Sequence, residues 1–399
     1  MAESERVVIC GAGPSGLTAA LFLARQGIEV LVLERGNEIF EDPRAATFHP
    51  PTMEMYEASG VTQALHERGI VAPRWQMRDR REGLIVEYDL GVLAGVTRYP
   101  YRLQCEQHKL CAILIDKLAQ YPNATLRWGA EVVDVIQDGS RASAVLADGE
   151  KVSGAWLLGA DGGRSVVRKS CGIGFEGFTY EERFLVITTT HDFEPQGYAY
   201  SNYVSDPQEW TALFKVPAKG PPGRWRVVFP VAVEAAEAEL LSHENAAARL
   251  AGFMPDAAPF EVVHTNLYQV HQRVATRYRE GRVFVSGDAA HVNNPLGGMG
   301  MNFGIHDAVS FADLLGQVML RGAPSALLDR YDRQRRHVAH QFLQSMTIQN
   351  KQVMEERDPA IRRERQQQMR HTVADPDRLF AFLFRTSMLE GLKAAAEIL

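Results

Sequence analysis

"RVVICGAGPSGLTAALFLARQGIEVLVLER", residues 6–35, reads as a strand, a glycine turn, a helix and a second strand. "RVVIC" is short and apolar, "LTAALFLARQG" gathers its apolar residues on one helical face and stops at Gly27, and "EVLVLER" is apolar again. This order is the β–α–β unit of a dinucleotide-binding sheet. Gly11 permits the tight turn, Gly13 lets a pyrophosphate approach the backbone, and Gly16 lets the helix pack closely on the strand. Pro14 and Ser15 open the helix, whose free N–H groups and partial positive charge suit phosphate. Glu34 ends the second strand about eighteen residues past Gly16, where an acid can accept from both ribose hydroxyls of an adenosine. Arg35 follows it and is grouped with the nucleotide-binding residues.

The rest of the chain sets bounds on this reading. With 399 residues, 46% hydrophobic and 23% charged, it can bury cores for two or three domains. A formal charge of −6 gives no basic footprint for nucleic acid or acidic membranes. "RDPAIRRERQQQMRH" mixes acids and Gln into its arginines and reads as a solvated helix face. No secretory leader pattern opens the sequence, and no apolar run approaches the roughly 18 residues of a membrane span, so a cytoplasmic location is expected. The cysteines, Cys10, Cys105, Cys111 and Cys171, lack metal-ligand spacing, and no metal is expected.

Past residue 73 the parallel pattern breaks. Residues 74–103 look extended, "QHKLCAILIDKLAQ" is an amphipathic helix, and short strands follow with turns at "QDGS" and "ADGE". Alternating apolar and polar positions over 183–234, joined by "AKGPPG", suggest a second, mostly antiparallel sheet. "GRVFVSGDAAH" resumes a buried strand, and the pattern after Asp307 is helical. One α/β fold is therefore interrupted by another sheet and rejoined. The stretch 287–309, "GDAAHVNNPLGGMGMNFGIHDAV", is unusual: five glycines and a proline, with no charged residue between Asp288 and Asp307.

Three motifs in one order, "GAGPSG" with Glu34, "LLGADGGRSVVRKSCGI" and "GRVFVSGDAAHVNNPLGGMGMN", resemble those of the single-component flavoprotein aromatic hydroxylases, the family typified by para-hydroxybenzoate hydroxylase. The resemblance covers roughly residues 5–345. It implies an α/β fold in which a discontinuous Rossmann-like FAD-binding domain carries an inserted, mostly antiparallel substrate-binding sheet and ends in a C-terminal helical region. The FAD domain would comprise 1–73, 104–176 and 273–345, the substrate sheet 74–103 and 177–272, and the terminal helices 346–399.

The same resemblance implies roles for residues. Asp288 would bind the ribityl hydroxyls of non-covalent FAD, and Gly297, Gly298 and Gly300 would let the backbone approach the flavin ring. The helix starting at Gly300, Met301 and Asn302 would direct its N–H groups at the flavin pyrimidine, where charge appears on reduction. Asp161 in "GADG" would contact the flavin phosphates and the nicotinamide cofactor, Arg44 the cofactor and mobile flavin, and Gln107 the pyrophosphate. Pro295 would lie near the reacting edge.

The implied activity is monooxygenation. NAD(P)H reduces FAD, O2 adds to form a flavin C4a-hydroperoxide, and its distal oxygen attacks an electron-rich phenol or hydroxy-heteroaromatic. Such substrates gain nucleophilicity on losing a proton, so a pocket Tyr or His relay is expected, with Tyr203, Tyr200, His49 and His191 as candidates. Thr47, Phe214 and Met299 join Pro295 as candidate pocket walls. No second GxGxxG is present, so NAD(P)H would bind transiently at the surface to a monomer or homodimer. A reductase or oxidase of the same fold and a flavin-binding redox sensor are the alternatives. "RWRVVFP" comes close to the W-x-W-x-I-P and Y-x-W-x-F-P motifs of flavin halogenases and prenyl reductases, but Val227 occupies the key position.

Overall fold

The computed structural model describes residues 5–41 and 45–399. Strand Val7–Cys10, helix Pro14–Arg25 and strand Val30–Leu33 form the opening unit. All four residues of Val7–Cys10 are buried, the continuous burial of a parallel strand covered on both faces. The six-stranded sheet runs Arg279–Glu280, Val283–Val285, Trp156–Gly159, Val7–Cys10, Val30–Leu33, Ala124–Arg127. Its last five strands are parallel. They come from four separated parts of the chain, so the domain is assembled around insertions. Helix Gly300–Arg321 packs on Pro14–Arg25, and Leu17, Phe284, Ile305 and Phe311 share one core beneath them.

The second, eight-stranded sheet runs His291–Val292, Val262–Ala275, Phe175–Thr189, Arg224–Ala232, Thr211–Val216, Ser201–Ser205, Arg74–Asp79, Gly83–Asp89. Its pairs are antiparallel except Ser201–Ser205 with Arg74–Asp79. Side chains alternate between two buried faces. Phe184, Val186, Tyr203 and Val228 share a cluster with Trp75 and with Leu379 and Leu383 of the terminal helices. Leu185, Ile187, Val204, Val227 and Trp225 face the other way, against Ala246, Leu250 and Phe253 of helix His243–Phe253.

Arg102–Gln104, expected with the inserted sheet, instead pairs between Thr47–Phe48 and Ile70–Ala72 in a small antiparallel sheet. The turn at Leu90–Leu93 ends the inserted strands before it. The terminal helices run without a break at 345, through Asp329–Val338, the π-helical turn Ala339–Gln344 and Ser345–Met354. Pro359–Ala374 and Pro376–Thr386 each start at an Asp whose carboxylate accepts from the next backbone N–H groups, with Pro following. Arg362, on the helix read as solvated, pairs with the buried Asp79 of the inserted sheet. No helix among the described residues is long and apolar enough to cross a membrane.

Candidate active site

At the nucleotide end, Gly11 sits at φ +108° and a Cβ there would overlap the carbonyl oxygen of Ala160. A Cβ on Gly16 would overlap the Gly11 carbonyl. The turn is thus wedged by its own fold. Gly13 differs: it has ordinary extended angles, φ −77° and ψ 179°, and a Cβ would meet nothing within 4 Å. Protein packing does not explain glycine here, whereas a ligand lying against the turn does. The open cradle ahead of helix Pro14–Arg25 therefore fits a dinucleotide. Glu34 Oε2 accepts from Ala12 N at 2.8 Å and Oε1 from Gly36 N at 2.9 Å, which fixes the carboxylate and leaves each oxygen a further lone pair.

Ser15 turns its hydroxyl inward, donating to Gly304 O at 2.9 Å and contacting Ser286. Only its backbone remains for a ligand. Asp161 is engaged at the start of helix Val166–Ser170, accepting from Ser165 Oγ at 2.5 Å and from Val166 N at 2.7 Å and Val167 N at 3.1 Å. Its carboxylate shapes the loop ahead of that helix. Arg35 is exposed, Gln107 is half-buried at the first turn of Gln107–Leu118, and Asp288 is exposed in the turn Gly287–Ala289. Arg44 lies outside the described residues.

The glycine loop is held from several sides. Leu296 and Gly297 occupy the corners of a turn closed by Gly298 N donating to Pro295 O at 3.0 Å, and Gly297 has φ +110°. Asn294 donates through Nδ2 to Thr347 O at 2.9 Å, and its N–H donates to Gln272 Oε1 at 3.1 Å. Asn302 is fully buried; its Oδ1 accepts from His49 N at 3.0 Å and Thr52 Oγ1 at 2.7 Å, while Nδ2 donates to Thr47 O and Gly298 O, both at 2.8 Å. Its side chain is a clasp on the loop. The glycines also answer to protein neighbours: a Cβ on Gly298 would meet Thr47 at 2.8 Å, and one on Gly300 would meet Asn293 Oδ1 at 2.9 Å. Close packing of the loop on Thr47 restricts residue 298, whereas at residue 300 the neighbour is the end of the Asn293 side chain. Met301 packs into the core of the nucleotide domain.

Sequence reasoning missed Asp307. Fully buried, it accepts from Arg335 Nε at 2.6 Å, His291 Nε2 at 2.8 Å and Gly287 N at 3.1 Å. Burial alone would raise its pKa, but Arg335 and His291 reverse that and hold it at about 2. The carboxylate thereby ties the Gly287–Asp288 turn to two helices. A lone acid in the otherwise apolar "FGIHDAVSFA" was the available signal.

On the inserted sheet, Tyr203 faces the glycine loop and its hydroxyl accepts from Gly297 N at 3.0 Å. Trp75 and Phe214 meet its ring edge-to-face, with centroids 5.7 and 5.8 Å away. Thr47 lies opposite, donating to Gln104 Oε1 at 2.9 Å. His49 is buried, and its Nε2 lies 2.9 Å from Gly297 O. A carbonyl only accepts, so Nε2 carries the proton and Nδ1, buried without a partner, is a free acceptor. Desolvation, reinforced by Arg102, lowers the His49 pKa to about 3, so the ring is neutral through the physiological range.

Three expected pocket residues lie elsewhere. Tyr200 packs on the opposite face of the sheet, its hydroxyl donating to Glu194 Oε2 at 3.2 Å and Lys215 above its ring. His191 stacks edge-on with Phe193 and Phe260 on that same side. The strand alternation that points Tyr203 inward excludes both. Met299 is buried with Phe303, Phe342 and Met346 among the terminal helices. Trp225 and Val227 of "RWRVVFP" also belong to the far face, with Trp225 Nε1 donating to Asp192 Oδ1 at 3.0 Å, so that near-match does not reach the loop.

A dinucleotide cradle, a glycine loop and an inserted sheet presenting a tyrosine to that loop define a flavin-nucleotide protein with a second, substrate-facing layer. The family described as FAD binding domain matches residues 4–346. Para-nitrophenol 4-monooxygenase of Pseudomonas sp. (strain WBC-3) is 34% identical over 366 residues, 91% of this chain and 90% of its own. 6-hydroxy-3-succinoylpyridine 3-monooxygenase HspB of Pseudomonas putida is 34% identical over 84% of this chain and 85% of its own. The crystal structure of p-nitrophenol 4-monooxygenase PnpA from Pseudomonas putida DLL-E4 superimposes with TM-score 0.90 at 32% identity, covering 96% of this chain and 98% of that one. The chain belongs to this FAD-binding family of class A flavoprotein aromatic hydroxylases.

Proposed function

We propose that this protein is an FAD-dependent monooxygenase that uses NAD(P)H and O2 to hydroxylate a phenolic or hydroxy-heteroaromatic small molecule. The observation that carries it, beside the family, is the Tyr203 hydroxyl held by the N–H of Gly297 on the loop that borders the flavin in this family. The chemistry FAD supplies when bound is the activation of dioxygen with electrons from NAD(P)H. Gly13 would leave the pyrophosphate its space, the N–H groups of Ser15 and Gly16 would face it, and Gln107 would lie alongside. Glu34 would hold the adenosine ribose, Asp288 the ribityl chain and the N–H groups of Gly300–Asn302 the flavin pyrimidine.

The residues on the sheet side prepare the aromatic ring. Tyr203 accepts from Gly297, which leaves its own O–H to donate to a substrate oxygen. His49 offers Nδ1 as an acceptor for a substrate hydroxyl; with a pKa near 3 it passes a proton onward rather than storing one. Trp75, Phe214 and Thr47 flank the ring and Pro295 the loop edge. A cytoplasmic monomer or homodimer acting on a diffusible aromatic completes this reading.

Tyr203→Phe keeps FAD and still accepts hydride, because neither needs the phenolic oxygen. Hydroxylation should slow by about 100-fold, the low end of what a positioned proton donor contributes, with the reducing equivalents released as hydrogen peroxide. Product formed per NAD(P)H consumed decides the matter. Unchanged coupling removes Tyr203 from the chemistry.

A further inference from the structure

Arg102 is a buried cation that the fold does not neutralise. It is 3% exposed, on the strand Arg102–Gln104 that faces the inserted sheet. Its surroundings are Ser201 Oγ at 3.5 Å, the Trp75 ring with centroid 5.2 Å away, and the Tyr203 hydroxyl. Its Nε has no partner, and no carboxylate of the described residues pairs with it. Of the other buried arginines, Arg335 is paired with Asp307 and Arg168 donates to the Ala289 and Gly163 carbonyls. Burying an unpaired guanidinium costs several kcal/mol unless a ligand completes it. Ser201, Tyr203 and Trp75 all belong to the face of the sheet that looks at the glycine loop, so the unsatisfied N–H groups and the free Tyr203 O–H converge there. The titratable side chains interacting with Arg102 are Tyr203 and His49.

We infer that Arg102 is the anion anchor of the substrate site, and that the aromatic binds as its phenolate with the phenolate oxygen accepting from Arg102 and from the Tyr203 hydroxyl. This deepens the hydroxylase reading and depends on it. The phenol proton leaves to solvent by way of the His49 Nδ1 acceptor as the complex forms, so the ring is already in its nucleophilic form before oxygen transfer. Arg102 then selects ionisable phenols over ethers and unsubstituted arenes. The planar guanidinium holds its N–H donors in fixed directions, so one can be aimed at the phenolate oxygen more rigidly than by a flexible ammonium.

The test uses FAD-loaded full-length protein and two probes, 4-nitrophenol and its methyl ether 4-nitroanisole, followed by calorimetry and difference absorbance. The unmutated protein should bind nitrophenol at least tenfold more tightly than nitroanisole, and bound nitrophenol should show the phenolate band at pH values where the free phenol is largely protonated. R102Q should keep its flavin absorbance, weaken nitrophenol binding at least tenfold, leave nitroanisole binding unchanged and raise the pH at which the bound phenol ionises. R102K, which keeps a charge and guards against misfolding, should fall between. Equal affinity for the two probes in the unmutated protein, or an unshifted bound-phenol ionisation in R102Q, overturns the assignment, as does loss of FAD from R102Q, which would give the guanidinium to the cofactor. If the loaded protein binds no phenol of any kind and none stimulates NAD(P)H oxidation, the hydroxylase reading fails and takes this one with it.

Discussion

Gly13→Val should yield a protein that folds like the parent and is colourless. A side chain at residue 13 meets nothing within 4 Å and its backbone angles suit any residue, so the fold tolerates valine. The space it fills is the space a pyrophosphate needs. FAD affinity should fall at least about 100-fold, or roughly 2.7 kcal/mol, while the circular dichroism and melting of the cofactor-free protein stay put. Gly16→Ala should behave differently, because its methyl group collides with the Gly11 carbonyl and then with Ala160. Overpacking of this kind costs about 1–3 kcal/mol and should reduce stability before any cofactor is added. A Gly13→Val protein that retains stoichiometric flavin would show that the dinucleotide does not lie on this turn.

The second large effect is expected at Asp307→Asn. The substitution removes the charge facing Arg335 and weakens the hold on His291 and Gly287. Leaving a buried guanidinium without its partner costs roughly 3–5 kcal/mol, read as a lower thermal midpoint. Flavin retention should suffer too, since Gly287 adjoins Asp288. The pH dependence has a definite sign. The Asp307 pKa is depressed from the ordinary 3.8 to about 2, so its stabilisation is complete above about pH 4 and disappears as the pH falls toward 2. The gap in stability between parent and Asp307→Asn should therefore narrow over that window. A constant gap there would mean that Asp307 is not the ionised centre of this cluster.

Local signals were legible in the sequence and long-range ones were not. The strand, turn and helix of residues 6–35 follow from contiguous apolar runs and glycine spacing, and the structure forms them within a residue or two. The inserted sheet was visible as period-two alternation. What alternation could not tell is which face meets the loop, because both faces are buried. Tyr200 and Tyr203 were thus equal candidates although three positions put them on opposite sides. Arg102 sits in a strand of three residues, too short for a periodic signal, and its isolation from carboxylates exists only after folding. Asp307 and Arg335 lie 28 residues apart, and their pairing depends on how two helices cross. Asp161 and Asn302 stand in motifs visible in the sequence, but the bonds their side chains make to the surrounding loops follow only from the fold.

The most direct measurement is to run the FAD-loaded protein with NAD(P)H and a phenol that accelerates NAD(P)H oxidation, under isotopically labelled dioxygen. A monooxygenase places one labelled atom in the aromatic product and the other in water. Product free of label, or a substrate whose carbon–carbon double bond has been reduced, would contradict the account.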